Sequence, residues 1–138
     1  MRFEISNIEE LDIISEHLIN YLKGNVCLIL DGQMGAGKTT FTKNLLKKVG
    51  VKEIVTSPTF NIMNQYKLHD LNINHIDAYR LTNEEDEQMY LEQMIDSFNI
   101  VEWSKNLAIK YENYFKVIKL KIEVIDENIR VFNLEGVN

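Results

Sequence analysis

Eight consecutive residues, Gly32-Gln33-Met34-Gly35-Ala36-Gly37-Lys38-Thr39, satisfy the pattern G-x-x-x-x-G-K-[ST] at every position. The spacing has a chemical reason. Glycines let the backbone take conformations closed to other residues and approach a phosphate closely. Successive amides then turn inward and cradle the anion. A helix opening at Lys38 adds the positive end of its dipole. The lysine reaches the terminal phosphates, and the Thr39 hydroxyl serves a magnesium ion. The chemistry expected of such a loop is binding of ATP with magnesium and its hydrolysis.

Such a site needs a carboxylate near the strand ends, for the metal or for the attacking water. Asp77 follows the half-apolar run Ile73-Asn74-His75-Ile76, and Glu102 follows Ile100-Val101. Both stand where α/β proteins build ligand sites. Each also has an ordinary reading, Asp77 as a turn aspartate and Glu102 as a surface carboxylate, and spacing alone does not choose. Trp103, the single tryptophan, reads by default as a packing residue. The acids from Glu84 to Glu87 read as a solvated helix start.

The elements that must hold these residues follow from periodicity. Residues 1–5 predict a strand. Ser6-Asn7-Ile8-Glu9 predicts a capping box with Ser6 as the cap, opening a helix through Leu11, Ile14, Leu18 and Leu22 to about Lys23. Val26 to Leu30 is a continuous apolar run, the mark of a strand buried on both faces. Lys38 to Val49 predicts a helix burying Phe41, Leu45 and Leu46 and closed by Gly50. Ile54-Val55 suggests a short strand broken at Ser57-Pro58. Phe60 to Lys67 and Leu71 to Tyr79 predict two strands around a turn at His69-Asp70. Thr82-Asn83-Glu84-Glu85 predicts a second capping box and a helix to about Ile95. Ile100 to Glu102 predicts a strand and Ser104 to about Tyr111 a helix. Ile118 to Val124 alternates as a half-buried strand whose hairpin partner is Ile129 to Leu134. The fold class expected is α/β: a single P-loop NTPase domain over residues 1–138, a mixed sheet flanked by helices, and an antiparallel C-terminal hairpin.

Composition narrows the function. The 138 residues carry a net charge of −6, which argues against an autonomous nucleic-acid binder. No segment has the apolar length of a membrane span, and no apolar core of a signal peptide follows the N-terminus. Cys27 is alone and inside an apolar run. His17, His69 and His75 lack metal-ligand spacing, so no zinc site is expected. With a single cysteine and no internal disulfide, a reducing cytoplasm is expected. The three arginines are Arg2, Arg80 and Arg130, too few for the arginine-bearing lids of small-molecule kinases. A guanine-reading Asn-Lys-x-Asp element is absent. Arg80 reads either as a structural ion-pair partner or as a contact to phosphate or to a partner protein.

Four segments in this order resemble the TsaE (formerly YjeE) family of tRNA threonylcarbamoyladenosine biosynthesis ATPases. They are Gly35 to Phe41, Thr56-Ser57-Pro58-Thr59-Phe60, His75-Ile76-Asp77-Ala78-Tyr79-Arg80-Leu81, and Val101-Glu102-Trp103. The first is generic; the second and third at this spacing are far more specific. The resemblance spans the whole chain. It implies a bacterial protein that binds the TsaD–TsaB pair and hydrolyses ATP to reset that complex, while the pair itself modifies the adenosine beside the anticodon. tRNA is then an indirect partner.

The resemblance also implies roles. Lys38 holds the terminal phosphates, and Gly35, Ala36, Gly37, Thr39 and Thr40 complete the cradle. Thr39 and Glu102 hold magnesium, and Asp77 supports the water on the metal or the catalysis. Ser57 to Phe60 is a nucleotide-sensing switch with Thr59 as its polar contact, and Trp103 borders the nucleotide. Contributions to base binding are expected from the Asn7 to Glu10 region and from Asn128 to Arg130. Gln33 stands where the family commonly has an acid, and Ser104 where proline often follows Glu-Trp. Two other readings stay open: a small-metabolite kinase, shown by transfer to an acceptor, and a nucleotide-gated binding module, shown by tight binding without phosphate release.

Overall fold

The computed structural model describes residues 1–58, 62–81 and 87–137. Its centre is β2 (Val26–Asp31), whose first five residues are all buried. Apolar side chains on both faces demand a layer on each side, so β2 sits inside a parallel sheet. Its parallel neighbours are β5 (Phe98–Glu102) and β6 (Lys116–Val124), and β4 (Leu71–Asp77) lies parallel to β5. The edges are antiparallel. β3 (Met63–Leu68) pairs with β4, while β7 (Arg130–Glu135) pairs with β6 and with β1 (Arg2–Ile5). The seven strands run in the order β1-β7-β6-β2-β5-β4-β3. This is the mixed sheet with a C-terminal hairpin that the alternation of residues 118–134 predicts.

One face of the sheet is covered by α1 (Leu11–Leu18) and α2 (Lys38–Val49). Ile14, Leu18, Phe41, Leu45 and Leu46 meet Leu28, Leu30, Ile100, Ile118 and Leu120 there. The two helices are tied by Ser15 Oγ donating to Asn44 Oδ1 (2.8 Å) and Asn44 Nδ2 donating to Asp12 Oδ1 (2.9 Å). The other face buries Cys27, Ile29, Ile76 and Val101 under Leu91 and Met94 of α3 (Glu87–Met94), with Leu107, Ile109, Tyr111 and Phe115. Among the described residues no helix is long and apolar enough to cross a membrane.

The structure corrects three local expectations. The first cap is Asn7, not Ser6: Asn7 Oδ1 accepts from Glu10 N–H (3.2 Å), and Glu10 Oε1 accepts from Asn7 N–H (3.1 Å). The sequence contains both registers. The one that forms also lets the Ser6 hydroxyl donate to Glu10 at 2.7 Å and turns Leu11 and Ile14 inward. The helical segment is a 3-10 turn at Ile8–Glu10, then α1, then a 3-10 turn at Ile19–Tyr21.

Ile54-Val55 forms no strand. Backbone groups of Thr56 are met by side chains instead of a ladder: Asn64 Nδ2 donates to its carbonyl (3.1 Å), and its N–H donates to Tyr66 Oη (3.4 Å). Residues 104–111 are not one helix but a 3-10 turn at Ser104–Asn106 and another at Tyr111–Asn113. Leu107 and Ile109 are drawn into the core between them, and the Tyr111 hydroxyl donates to Ser104 O (2.8 Å). The capping box at 82–85 lies outside the described residues.

Candidate functional site

The parallel strands β2, β5 and β4 end at the same edge of the sheet, and the register decides what meets there. Leu30 is opposite Glu102, and Asp77 is opposite Glu102. Opposed residues share a face, and so do residues two apart on one strand. His75, Asp77, Ile100 and Glu102 therefore all stand on the face that carries α2. Both candidate acids are delivered to the phosphate loop by strand register rather than by any local feature of their own.

The loop itself is built by glycines at two strained positions. Gly35 has φ +81° and Gly37 has φ +111°, the left-handed region that disfavours side chains. Gly37 is the cap of α2, and Phe41 N–H already donates to its carbonyl at 2.9 Å. The Ala36 N–H donates to Gln33 O (3.0 Å) and closes the turn before it.

Lys38 is 7% exposed. Its ammonium donates to the carbonyl of Gly32 at 2.6 Å and lies 4.0 Å from the centre of the Trp103 ring. A buried ammonium over an aromatic face is attracted by the ring quadrupole. Burial nevertheless lowers its pKa from the ordinary 10.5, an effect opposed by the negative charges of Glu102, Asp77 and Asp31. Desolvation dominates those nearby acids, and a polyphosphate would supply the missing negative charge.

The carboxylates differ. Glu102 is buried, and its Oε2 lies 2.6 Å from Nε2 of the fully buried His75. Asp77 is half-buried, its N–H donates to Ile62 O (2.8 Å), and its Oδ1 accepts from Tyr79 N–H (3.0 Å). Asp77 thus does the work of a turn aspartate while lining the same cleft as Glu102 and Lys38. Trp103 takes φ +58°, a strained conformation for a bulky residue, and its ring contacts Tyr79 with centroids 5.1 Å apart.

The cleft has a volume of about 820 Å³. Gly35, Gly37, Lys38, Thr39, Thr40, Asp77, Glu102 and Trp103 line it together with Ser57, Pro58 and Arg80. Thr59 and Phe60 lie outside the described residues. Of the cradle residues Gly35 to Thr40, Ala36 alone does not line the cleft: it is buried and borders a second hollow of about 290 Å³. That hollow is bounded by Ser6, Asn7, Ile8, Glu127, Asn128 and Arg130, and Gly35, Gly37 and Thr40 border both spaces.

A chain of this architecture has relatives. The family model of the threonylcarbamoyl adenosine biosynthesis protein TsaE matches residues 5–131. The chain belongs to the TsaE family. Curated tRNA threonylcarbamoyladenosine biosynthesis proteins TsaE are similar to it over most of its length. That of Rickettsia felis is 34% identical over 133 residues, covering 94% of this chain and 77% of the relative. That of Aquifex aeolicus is 36% identical over 119 residues, covering 85% and 82%. That of Bacillus subtilis is 35% identical over 106 residues, covering 75% and 66%. The crystal structure of YdiB from Bacillus subtilis superposes with a TM-score of 0.75 at 26% identity, covering 100% of this chain and 86% of that one. The fold is that of a P-loop NTPase, and TsaE membership carries a role in threonylcarbamoyladenosine biosynthesis.

Sequence reasoning missed His75 as a site residue in its own right. The signal was available: it stands two residues before Asp77 on a strand, hence on the same face. Asp31 was missed too, because its influence on Lys38 acts through space from the end of β2.

Among the described residues no three His, Cys, Asp or Glu side chains converge as a metal cage. Magnesium does not require one, since it is commonly held by one or two protein oxygens together with nucleotide phosphates and water. The Thr39 hydroxyl and the Glu102 carboxylate, both hard oxygen donors on the cleft wall, fit that demand.

Proposed function

We propose that this TsaE-family chain is a single P-loop domain over residues 1–138 that binds ATP with magnesium and hydrolyses it in the cytoplasm. Its ATP cycle acts on the TsaD–TsaB complex, and tRNA is reached through that complex. The observation that carries this reading is the convergence of Lys38, Thr39, Asp77 and Glu102 on one cleft at the ends of parallel strands.

In this reading the loop amides and Lys38 hold the β- and γ-phosphates. Lys38 leaves the Gly32 carbonyl to do so, and the phosphate charge compensates its burial. Thr39 and Glu102 hold the magnesium ion, which neutralises charge on the phosphates when bound. Asp77, fixed by the Tyr79 amide, orients the attacking water. Trp103 walls the cleft beside Lys38. Because Gly35, Gly37 and Thr40 border both hollows, a nucleotide whose phosphates lie in the loop extends its base toward Asn7, Ile8 and Asn128. Thr59 contributes a polar contact from the switch segment.

The test is phosphate release from ATP by the purified chain, alone and with TsaD–TsaB. Release that the pair stimulates and that Lys38→Ala loses is the expected result. Normal release by Lys38→Ala would sink the assignment. Transfer to a small acceptor would make the protein a kinase, and tight binding without release even with the pair present would make it a gated binding module.

A further inference from the structure

His75 poses a problem that the proposed chemistry does not use. It is fully buried on β4, and its face neighbours Ile73 and Ile100 are fully buried aliphatics. An aliphatic side chain would suit that layer. The imidazole instead brings two polar atoms out of water, of which Nδ1 has no hydrogen-bond partner among the described residues. Leaving a buried polar atom unsatisfied is costly, so the other nitrogen must return something. That nitrogen, Nε2, lies 2.6 Å from Glu102 Oε2.

The geometry gives the contact a direction. His75 is in register with Ile100, one pleat behind Glu102 on the same face. The ring therefore reaches along the sheet toward the strand ends and meets the carboxylate from its buried side. A carboxylate only accepts hydrogen bonds, so Nε2 carries the proton and donates. A glutamate has three rotatable bonds to freeze, and its two oxygens offer about four acceptor sites. One oxygen can be held from behind while the other serves the cleft that Glu102 lines. Lys38 does not do the holding, since its ammonium is on the Gly32 carbonyl and the Trp103 ring.

We infer that His75 is a positioning residue: its Nε2–H fixes the Glu102 carboxylate in the orientation that receives the magnesium ion of the nucleotide complex. The inference rests on the reading of Glu102 as a magnesium-side acid. Hydrogen-bonding partners of metal-ligating side chains typically contribute about 10- to 100-fold to metal affinity.

The experiment measures ATP affinity of the full chain by calorimetry, first in EDTA and then across a magnesium titration, with thermal melting of each free protein. His75→Leu is expected to keep the wild-type affinity in EDTA and to need about tenfold more magnesium to reach half of the metal-dependent gain. His75→Gln, which keeps an N–H donor at similar reach, recovers most of the loss; His75→Asn, whose amide is too short, does not. Should His75→Leu not fold, the Gln and Asn variants decide the matter between them. Equal loss of affinity with and without magnesium, or a lowered melting temperature with an unchanged magnesium midpoint, assigns His75 to packing alone and overturns the inference. Glu102→Gln separates the two levels. A wild-type magnesium midpoint in that variant removes the role of Glu102 itself. A shifted midpoint in Glu102→Gln with none in the His75 variants removes only the role of His75.

Discussion

β4 and β5 each send one polar pair into the interior, on opposite faces of the sheet. On the α3 face, Asn74 and Asn99 are register partners, and Asn74 Nδ2 donates to Asn99 Oδ1 (2.8 Å) and to Gln93 O (2.9 Å). Asn99 Nδ2 in turn faces the carbonyls of Val26, Met94 and Ser97 at 3.0–3.2 Å. On the α2 face, His75 and Glu102 share one short contact, and the other imidazole nitrogen has no partner among the described residues. The neutral pair has its amide N–H groups on protein acceptors, and both amide oxygens accept from protein donors. The pair containing an acid is left with spare capacity at the wall of a cleft. Polar groups on neighbouring strands thus separate into an interior peg and a pair at the cleft wall, and the number of protein partners tells them apart.

The sharpest way to break that contrast is to remove charge from the cleft and donors from the peg. Glu102→Gln should reduce ATP hydrolysis by about 100-fold or more while the melting temperature stays close to wild type, because His75 can still donate to the amide oxygen. Phosphate release and thermal melting on the same preparation check both halves. Asn99→Ala should do the reverse. Losing a donor set among three buried carbonyls costs about 2–3 kcal/mol, read by urea unfolding, with ATP affinity unchanged below the transition. A loss of affinity comparable to that of the cleft variants would mean that the two clusters are coupled.

A smaller effect concerns Lys38. Its pKa is lowered by burial, so between the lowered folded value and the ordinary 10.5 the unfolded chain holds a proton that the folded chain has shed. Stability of the nucleotide-free protein should therefore rise with pH through that alkaline window. Lys38→Met should flatten the rise and stabilise the free protein at neutral pH. Melting curves of both proteins across alkaline pH test the sign. The least effect is expected at the cap: Asn7→Ala should cost about 1 kcal/mol of stability and weaken nucleotide binding modestly through the second hollow. A change in stability alone would remove Asn7 from the nucleotide's surroundings.

Much of the fold was legible because the signals were local. The apolar run at Val26 to Leu30, the helix from Lys38 to the Gly50 cap, and the alternation from Ile118 each state a burial pattern that few structures satisfy. The failures share a cause. Ile54-Val55 has strand composition but joins no ladder, and side chains of β3, Asn64 and Tyr66, meet the backbone of the next residue, Thr56. Residues 104–111 have helical spacing, yet Leu107 and Ile109 are pulled into the second core and split the segment into two turns. At the first cap, Ser6 and Asn7 offered equivalent registers, and burial of the following helix chose Asn7.

The candidate site divides the same way. The loop from Gly32 to Thr39 is contiguous, so residue order alone determined its glycine conformations and its helix start. The acids could be named as candidates but not assigned, because their relation to Lys38 spans tens of residues. Only the tertiary structure put Asp77 opposite Glu102, set His75 behind that carboxylate, and laid Trp103 over the lysine. Strand register and burial are collective properties of the packed sheet. They decide which side chains share a face and how dry that face is, and no local pattern in the chain contains that information.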